Sequence, residues 1–297
     1  MKRLLYVYNP NAGRQRSRAI LSEALEEMAA QGYELTVHPT AARGDAEETV
    51  RIHAAEYDRV VCCGGDGTLN ETVAGLLALP EERRPVLGYL PMGSTNDFAR
   101  SLGLPKDIKE LARLACTAPG DPVDIGRCAD RSFTYVSAFG LFTEVSYTTP
   151  QSMKNMLGHF SYVLEGAGQL INVPSYHMTV VPKDGKPITG DFIYGMVGNT
   201  LSVGGVMRLP KDHVKLNDGQ FEVMLVRKFQ NLSDWQNVIS AVTAMKFPSH
   251  GTVETFNASE VVFQFDQPVA WTVDGEFGGE RAETVVKALP GAVRIAY

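Results

Sequence analysis

The first 125 residues alternate short apolar runs with amphipathic stretches, and this alternation restricts the fold more than any other feature of the sequence. The apolar runs at residues 4–8, 34–38, 60–63 and 86–90 have the length and composition of buried strands. Helical patterns separate them, the first at residues 17–30. Strands joined by helices form βαβ units, which place the strands parallel in one sheet with helices on its faces. The sequence therefore predicts an α/β domain with a parallel sheet.

The character of the sequence changes after about residue 124. Strand-like runs rich in β-branched and aromatic residues follow at residues 133–138, 176–181, 188–197, 221–226, 261–265 and 269–273. The segment Lys183-Asp184-Gly185-Lys186 is a hairpin turn signal between two of them. Helical patterns interrupt the strands near residues 153–170 and 232–245. This mixture predicts a second domain, mainly antiparallel β with a few helices.

Charge and composition exclude several classes of protein. The net charge is −6 and neither half is basic, which argues against a protein that binds nucleic acid through its phosphates. No apolar run approaches the roughly 18 residues of a transmembrane helix, and the N-terminus lacks a secretory pattern. The four cysteines form no CxxC pair and the six histidines form no HExxH motif, which makes a zinc enzyme improbable. We therefore expect a cytoplasmic protein without a transmembrane segment.

The segment Gly64-Gly65-Asp66-Gly67-Thr68 follows the third apolar run and opens a helix. Glycines let the backbone approach an anion closely, and a helix N-terminus offers free N–H groups, so the turn is suited to phosphate. Asp66 alone would repel a phosphate. Its presence is explained if a divalent cation bridges the carboxylate and the phosphate. The alternative is a plain Asp-Gly turn with Thr68 as the helix N-cap.

Two more polar turns follow apolar strands of the same predicted sheet. Asn9-Pro10-Asn11-Ala12-Gly13 comes after the first strand, and residues 91–99, which include Asp97, come after the fourth. Each alone is typical of an ordinary loop. Ligands of parallel sheets bind beyond the carboxyl ends of the strands, so the three turns together predict a nucleotide crevice. There is no P-loop, no G-x-G-x-x-G turn at the first helix and no protein-kinase motif set.

These motifs resemble the signatures of the diacylglycerol kinase catalytic-domain family. The residues that carry the resemblance are residues 9–13, residues 64–71 (Gly-Gly-Asp-Gly-Thr-Leu-Asn-Glu) and residues 93–100 (Gly-Ser-Thr-Asn-Asp-Phe-Ala-Arg). Val273-Asp274-Gly275-Glu276 is similar to the family's late acidic motif, so the resemblance covers the whole chain. The branch it most resembles is that of the soluble bacterial lipid kinases, relatives of sphingosine and ceramide kinases. Ser94 departs from the family's frequent Gly-Thr sequence.

The resemblance implies two domains of the kind found in NAD kinases and diacylglycerol kinases. An ATP-binding α/β domain would cover residues 1–124, with a C-terminal strand at about 290–297 returning to it. A mainly antiparallel β-sandwich at residues 125–289 would bind the lipid substrate. ATP and Mg²⁺ are the implied cofactors, and the acceptor is the hydroxyl of diacylglycerol or a related lipid taken from a membrane surface. The enzyme would associate with membranes transiently, and a homodimer is compatible with the family.

The resemblance also assigns roles to individual positions. Glu276 matches the catalytic base, while Asp66, Asp97 and Asp124 match carboxylates of the active-site magnesium network. A second, structural magnesium would be bound by Asp218 and by backbone carbonyls near Lys215 and Gln220. Residues 153–173 are either a membrane-docking segment or a helix packed on the sandwich. The implied nucleotide contacts are Asn9, Asn11, Gly13, Thr40, Gly64, Gly65, Asp66, Gly67, Thr68, Leu69, Asn70 and Thr95.

Two other functions stay open at this point. An NAD kinase shares the Gly-Gly-Asp-Gly-Thr turn but phosphorylates a ribose hydroxyl. A regulatory protein of another class would bind the nucleotide without turnover. The presence of both Asp66 and Glu276 favours catalysis, because phosphoryl transfer needs a group that orients and deprotonates the attacking hydroxyl and a metal that neutralises the phosphate.

Overall fold

The computed structural model of the protein describes residues 2–13, 15–94, 96–140, 174–200, 202–203, 207–208, 215–229, 234 and 251–297. The chain divides into two compact units. The first consists of Met1–Ile125 and Pro290–Tyr297, and the second of Gly126–Leu289. The helical pattern at residues 153–170, the candidate docking segment at 153–173 and nearly all of the pattern at 232–245 lie outside the described residues.

Parallel strands form the centre of the first unit. They are β1 (Lys2–Tyr8), β2 (Tyr33–Pro39), β3 (Arg59–Gly64), β4 (Val86–Pro91) and the end of the long strand β15 (Glu276–Ala296). Their order in the sheet is β15-β4-β3-β1-β2, and each neighbouring pair is parallel. Ile295 and Ala296 pair with Leu87 and Gly88, so the C-terminal segment completes this sheet.

Helices cover the sheet of the first unit. They are α1 (Arg16–Ala19), α2 (Leu21–Ala30), α3 (Asp45–His53), α4 (Asp66–Leu77), α5 (Asp97–Ser101) and α6 (Ile108–Thr117), with 3₁₀ turns at Ala54–Glu56 and Glu81–Arg83. The helix predicted at residues 17–30 is interrupted at Ile20, which ends α1 and caps α2. Ala24 and Met28 of α2 and Leu111 and Ala115 of α6 pack with strand residues in one buried cluster.

Buried and half-buried arginines tie the ends of these elements together. The Arg59 guanidinium donates to the Ala115 and Ala118 carbonyls at 2.8 and 2.5 Å, at the C-terminus of α6. The last carbonyls of a helix have no partner within the helix, so this contact satisfies them. Arg84 donates to the Ala292 carbonyl at 2.8 Å, and Arg294 donates to the Gly120 carbonyl at 2.9 Å. The last two contacts hold the C-terminal strand in the first unit.

The second unit is an antiparallel β structure. Its strands are β5 (Asp121–Cys128, which begins in the first unit), β6 (Arg131–Phe133), β7 (Val136–Gly140), β8 (Tyr176–Pro182), β9 (Ile188–Gly198), β10 (Ser202–Val203), β11 (Met207–Arg208), β12 (Phe221–Arg227), β13 (Val253–Ala258), β14 (Glu260–Val273) and most of β15. The order along the main sheet is β13-β12-β9-β7-β14-β15. Both β7 and β8 pair with β9 and β14, at opposite ends of those strands. The two runs predicted at 261–265 and 269–273 form a single strand, β14, whose register shifts between them.

Aromatic side chains fill the core of the second unit. Trp271 is fully buried, and its ring lies 4.9 Å from that of Phe139 and 5.1 Å from that of Phe263. Phe265 packs edge-to-face on Phe139 at 5.0 Å. Such tilted and edge-to-face pairs add to the stabilisation that comes from burial alone. Trp271 lies on β14, which ends just before Asp274, and Phe139 lies on β7, which pairs with β14. This core therefore supports the hairpin that follows β14.

Glu222 is a partly buried carboxyl on β12, between the core residues Phe221 and Val223. Among the described residues its Oε2 is buried and has no hydrogen-bond partner. Burial raises the pKa of Glu222 to about 8, the residue's own backbone N–H lowers it, and nearby Asp218 raises it further. The folded protein thus keeps a proton on Glu222 at pH values at which the unfolded chain has released it.

We expect the free energy of unfolding to fall between about pH 5 and pH 8 because of Glu222. In this window the unfolded chain binds fewer protons at this site, so stability decreases as the pH rises. Glu222→Gln removes the effect. It should unfold near the wild-type temperature at about pH 5 and be more stable by roughly 1–2 kcal/mol at about pH 8.

Thermal unfolding of both proteins at the two pH values measures this difference. The control is Glu280→Gln, an exposed glutamate on β15. If Glu222→Gln followed the wild type at both pH values, Glu222 would be ionised in the folded protein, contrary to its burial.

Candidate active site

Three polar turns lie together at the carboxyl ends of β1, β3 and β4. The Asn9 backbone N–H donates to the Cys63 carbonyl at 2.9 Å, and the Met92 N–H donates to the Gly64 carbonyl at 2.7 Å. The Asn9 side-chain amide lies 3.4 Å from the Thr68 hydroxyl. The turns predicted separately from the sequence are therefore adjacent, as the parallel register of the strands requires.

Close approach of backbones at these turns explains their glycines. A Cβ on Gly93 would lie 2.8 Å from the Cα of Gly65 and 2.7 Å from Asn96 Oδ1. Gly13 has a φ of +59°, and a Cβ there would overlap the Met92 carbonyl. Real Cβ atoms do not occupy such positions, so glycine is needed for the third turn to approach both the first and the second.

The helix α4 begins directly at the second turn. Its N-cap is Gly65, and within the described chain no side chain caps it. The reading of Thr68 as the N-cap is therefore wrong, because Thr68 lies inside the helix, where its side chain is nearly buried. A helix N-terminus combines unpaired N–H groups with the positive end of the helix dipole. Its position suits it to bind an anion such as a phosphate.

Other predicted nucleotide contacts surround this helix end. Asn11 donates its N–H to the Asn9 carboxamide at 2.9 Å, and the Thr40 N–H donates to the Tyr8 carbonyl at 2.9 Å, at the end of β2. The loop after Thr40 is tied to α4, since the Gly44 N–H donates to Glu71 Oε1 at 2.8 Å. Gly67 and Asn70 lie in the first half of α4, and Leu69 is fully buried there. Thr95 lies outside the described residues.

Three carboxylates of the first unit were predicted to belong to the site. Asp66 is the first residue of α4. Asp97 begins α5, is fully buried and lies 3.7 Å from the Arg100 guanidinium. Asp124, also fully buried, accepts the Gly291 N–H at 2.7 Å, so it holds the backbone of β15 where that strand belongs to the first unit. All three belong to the first unit, and Asp66 is the one at the helix end where the turns meet.

Glu276 belongs to the second unit, where it begins β15 after a tight hairpin turn. Val273 and Glu276 pair across the turn, whose two residues, Asp274 and Gly275, have φ values of 49° and 82°. Positive φ at both positions is the type I′ geometry that matches the twist of the paired strands, and Asp-Gly is a preferred sequence for it. The catalytic base predicted from the sequence therefore stands at a defined strand position and not on a loose loop.

Asp274 anchors this hairpin from inside the second unit. Its carboxylate accepts the backbone N–H groups of Thr134, Tyr135 and Val136 at 2.7, 3.1 and 3.1 Å, and the Thr134 hydroxyl at 2.9 Å. Burial raises the pKa of Asp274, and these hydrogen bonds act in the opposite direction. The sequence interpretation gave Asp274 no role. The Asp-Gly pair between two strand-like runs is the signal that would have predicted its turn.

An arginine lies against Glu276. Arg131 Nη2 lies 3.3 Å from Glu276 Oε2, and Arg131 Nη1 donates to the Phe277 carbonyl. Next to this contact the register of β14 and β15 shifts between Trp271 and Thr272, so Gly278 is an extra residue on β15. Such bulges often lie beside active sites and redirect a side chain. Arg131 was not predicted, because nothing in the local sequence distinguishes it.

The Asp218 loop is a compact polar turn. Asp218 Oδ1 accepts the Gln220 N–H at 3.0 Å, and Gly219 has a φ of +74°. Lys215 precedes the turn and is exposed. Within the described ranges there is no group of three or more His, Cys, Asp or Glu side chains arranged to hold a metal ion. The structural magnesium of this loop thus stays a prediction.

Comparison with known proteins gives this architecture a family. Residues 3–128 match the family described as the diacylglycerol kinase catalytic domain, and residues 137–297 match the YegS C-terminal NAD kinase beta sandwich-like domain. A curated diacylglycerol kinase of Bacillus subtilis (strain 168) is 36% identical over 283 residues, which are 94% of this chain and 91% of the relative. The chain belongs to the diacylglycerol kinase family. It is thus an enzyme, a phosphotransferase with an alcohol acceptor.

Solved structures agree with the fold of this lipid kinase family. A crystal structure of a diacylglycerol kinase from Bacillus anthracis str. Sterne matches with a TM-score of 0.75 at 22% identity, covering 100% of this chain and 97% of that one. An NAD kinase from Archaeoglobus fulgidus in complex with ATP matches more distantly, with a TM-score of 0.53 at 12% identity over 97% of this chain and 90% of that one. The two comparisons show the fold alone. None of the helices within the described ranges combines the length and apolarity that a membrane span requires.

We expect Gly93→Ala to lower kinase activity by roughly 10–100-fold while the protein stays folded. The added methyl group would press on the Gly65 backbone and on Asn96, and displace the turn that opens α4. Initial rates of phosphoryl transfer and the thermal unfolding midpoint measure the two effects. Glu82→Ala, at an exposed position of the same unit, is the control. Wild-type activity in Gly93→Ala would mean that the close approach of the turns is dispensable.

Asp274→Asn should destabilise the protein by about 2–4 kcal/mol. The amide is the same size as the carboxyl, but its NH₂ group cannot accept a hydrogen bond. In the variant this NH₂ group would face buried N–H donors that bind a carboxylate oxygen in the wild type. Chemical denaturation monitored by tryptophan fluorescence reports on the second unit through the buried Trp271. Asp184→Asn, at an exposed turn position, is the matched control. Equal stability of the two variants would contradict the anchoring role of Asp274.

Proposed function

We propose that this protein is an ATP- and Mg²⁺-dependent lipid kinase that transfers the γ-phosphate of ATP to the hydroxyl of diacylglycerol or a related lipid. The observation that carries the proposal is the meeting of three glycine-containing turns at the N-terminus of α4. Membership of the diacylglycerol kinase family supports it, as does the name of the Bacillus subtilis relative. The first unit would bind ATP and the second would bind the lipid.

The first unit offers the groups that a nucleotide phosphate needs. The N–H groups at the start of α4 point out of the helix end and act as donors to phosphate oxygens. Gly65 and Gly93 let the backbones of the second and third turns lie side by side, so both turns would face the phosphates. The carboxamides of Asn9 and Asn11 and the hydroxyl of Thr40 are donors and acceptors suited to the ribose and phosphates. The remaining proposed contacts are Gly13, Gly64, Asp66, Gly67, Thr68, Leu69, Asn70 and Thr95.

The donors at this end of the sheet fit a magnesium ion bound with the nucleotide. Mg²⁺ is usually held by one or two carboxylates together with substrate phosphates, so a three-carboxylate cluster is not needed. Asp66, at the start of α4, would hold it, and Asp97 and Asp124 would complete the acidic surroundings. When bound, the ion neutralises charge on the transferring phosphoryl group. We also propose Lys215, Asp218 and Gln220 as the ligands of a second, structural magnesium.

Glu276 would take the proton from the attacking lipid hydroxyl. A general base must stand within hydrogen-bond reach of the proton it removes and must keep its orientation. The type I′ turn and the Asp274 anchor hold the backbone of Glu276, and its side chain is 40% exposed and so accessible to a substrate. We propose that the enzyme acts in the cytoplasm, takes its lipid during transient contact with a membrane surface and forms a homodimer.

Incubation with ATP and Mg²⁺ in the presence of either diacylglycerol in mixed micelles or NAD tests the acceptor. We expect phosphatidic acid and ADP in equal amounts from the lipid, and no NADP from NAD. Formation of NADP would favour the alternative function, that of an NAD kinase. The distant similarity in fold to an NAD kinase does not exclude this alternative. Binding of ATP without any phosphorylated product would support a regulatory protein.

Glu276→Gln should lower kcat for the lipid by about 10²–10⁴-fold, which is the usual contribution of a general base. The amide keeps the size of the side chain but cannot accept the proton. ATP binding, measured by calorimetry, should stay within about twofold of the wild type because Glu276 lies outside the first unit. The control is Glu280→Gln on the same strand. Full activity of Glu276→Gln would remove Glu276 from the mechanism.

A further inference from the structure

We infer that Arg131 is a positioning residue that orients the Glu276 carboxylate for catalysis. The inference rests on the proposed role of Glu276 as the general base. Arg131 opens β6 and lies 145 residues before Glu276 in the sequence, so the fold and not local chain geometry brings them together. The two side chains meet at 3.3 Å, between Nη2 and Oε2.

One guanidinium holds both the backbone and the side chain at the base. Nη1 donates to the carbonyl of Phe277, the residue after Glu276, while Nη2 contacts the carboxylate itself. A planar guanidinium presents its donors in a fixed fork, so fixing one contact orients the other. The carboxylate is therefore oriented with respect to the strand on which it stands. A lysine could supply the charge but not this paired geometry.

A second arginine, Arg281, contacts β15 just beyond Glu276. Arg281 Nη1 donates to the Gly278 carbonyl at 2.8 Å, and its Nη2 contacts Asp130 Oδ1 at 2.5 Å. Asp130 is the neighbour of Arg131 in the sequence. Asp130 and Arg131 thus each make side-chain contacts with the first residues of β15. Arg131 differs from Arg281 in that it alone of the two touches the Glu276 carboxylate.

Stability alone is a weak explanation for the contact with Glu276. The Arg131 side chain is 31% exposed and that of Glu276 is 40% exposed, and ion pairs this accessible to water contribute little to folding. The hairpin is already anchored by the four hydrogen bonds to Asp274. A carboxylate has about four lone-pair sites, so one contact with Arg131 leaves it able to accept a proton. Orientation of the base accounts for the contact.

A double-mutant cycle between Arg131→Met and Glu276→Gln tests the inference in the full-length protein with ATP and diacylglycerol micelles. Arg131→Met keeps an unbranched side chain and removes every donor. We expect kcat to fall by roughly 10–100-fold, with KM for ATP and for the lipid within about twofold and an unchanged unfolding midpoint. In the Glu276→Gln background the same change should cost nothing more, because the group that Arg131 orients is no longer a base.

Two further variants make the result specific. Arg131→Lys, which keeps the charge and much of the side-chain volume, should recover part of the lost kcat and serves as the test if Arg131→Met does not fold. Arg227→Met is the matched control, since Arg227 also pairs with a glutamate in the second unit and is 34% exposed. It should retain wild-type kcat.

The cycle separates failure of the inference from failure of the proposed function. If Arg131→Met retains wild-type kcat, or lowers the residual rate of Glu276→Gln by the same factor as in the wild type, Arg131 does not act through Glu276. In the second case it contacts the substrate directly. If Glu276→Gln alone is fully active, the proposed base is wrong, and the positioning role falls with it.

Discussion

The Asp274 carboxylate and the three backbone N–H groups that it binds are the interaction on which the second unit's functional hairpin depends. A buried carboxylate is costly unless its oxygens are satisfied, and here Thr134, Tyr135 and Val136 satisfy them from the segment that leads from β6 into β7. The same hydrogen bonds hold a two-residue turn with positive φ, which determines where β15 begins. Glu276 is the first residue of that strand. The position of the proposed base thus follows from a polar contact made deep inside the unit.

In the first unit, close approach of backbone atoms and not a buried carboxylate brings the predicted site residues together. A phosphate-binding surface needs N–H groups that converge, and side chains would keep the turns apart. Gly13, Gly65 and Gly93 remove that obstacle, and the parallel register brings the ends of β1, β3 and β4 to one edge. Asp66 is the exception among these small residues, which is intelligible if a cation accompanies the phosphate. In the proposed mechanism the first unit would therefore supply the groups that bind the phosphates, and the second unit would supply the base.

Much of this architecture was predictable from the sequence, because it rests on local patterns. Alternation of strands and helices indicated the parallel sheet, and glycine-rich turns after apolar runs indicated the residues that meet at its edge. Helix boundaries were less predictable, as the interruption at Ile20 shows. The contact of Arg131 with Glu276 could not be predicted, because it joins residues 145 positions apart and leaves no pattern in either segment. Asp274 is predictable only in part. The Asp-Gly sequence indicates its turn, but the N–H groups that bind its carboxylate come from residues about 140 positions earlier in the chain.

Direct transfer of the γ-phosphate from ATP to a lipid hydroxyl is the central claim, and the stereochemical course of the reaction tests it most directly. ATP made chiral at the γ-phosphorus with oxygen isotopes is incubated with diacylglycerol, and the configuration of the phosphate is determined in the phosphatidic acid. An in-line attack by a hydroxyl that Glu276 deprotonates predicts inversion at phosphorus. Retention would require a phosphoenzyme intermediate and would contradict this mechanism, as would the absence of phosphatidic acid.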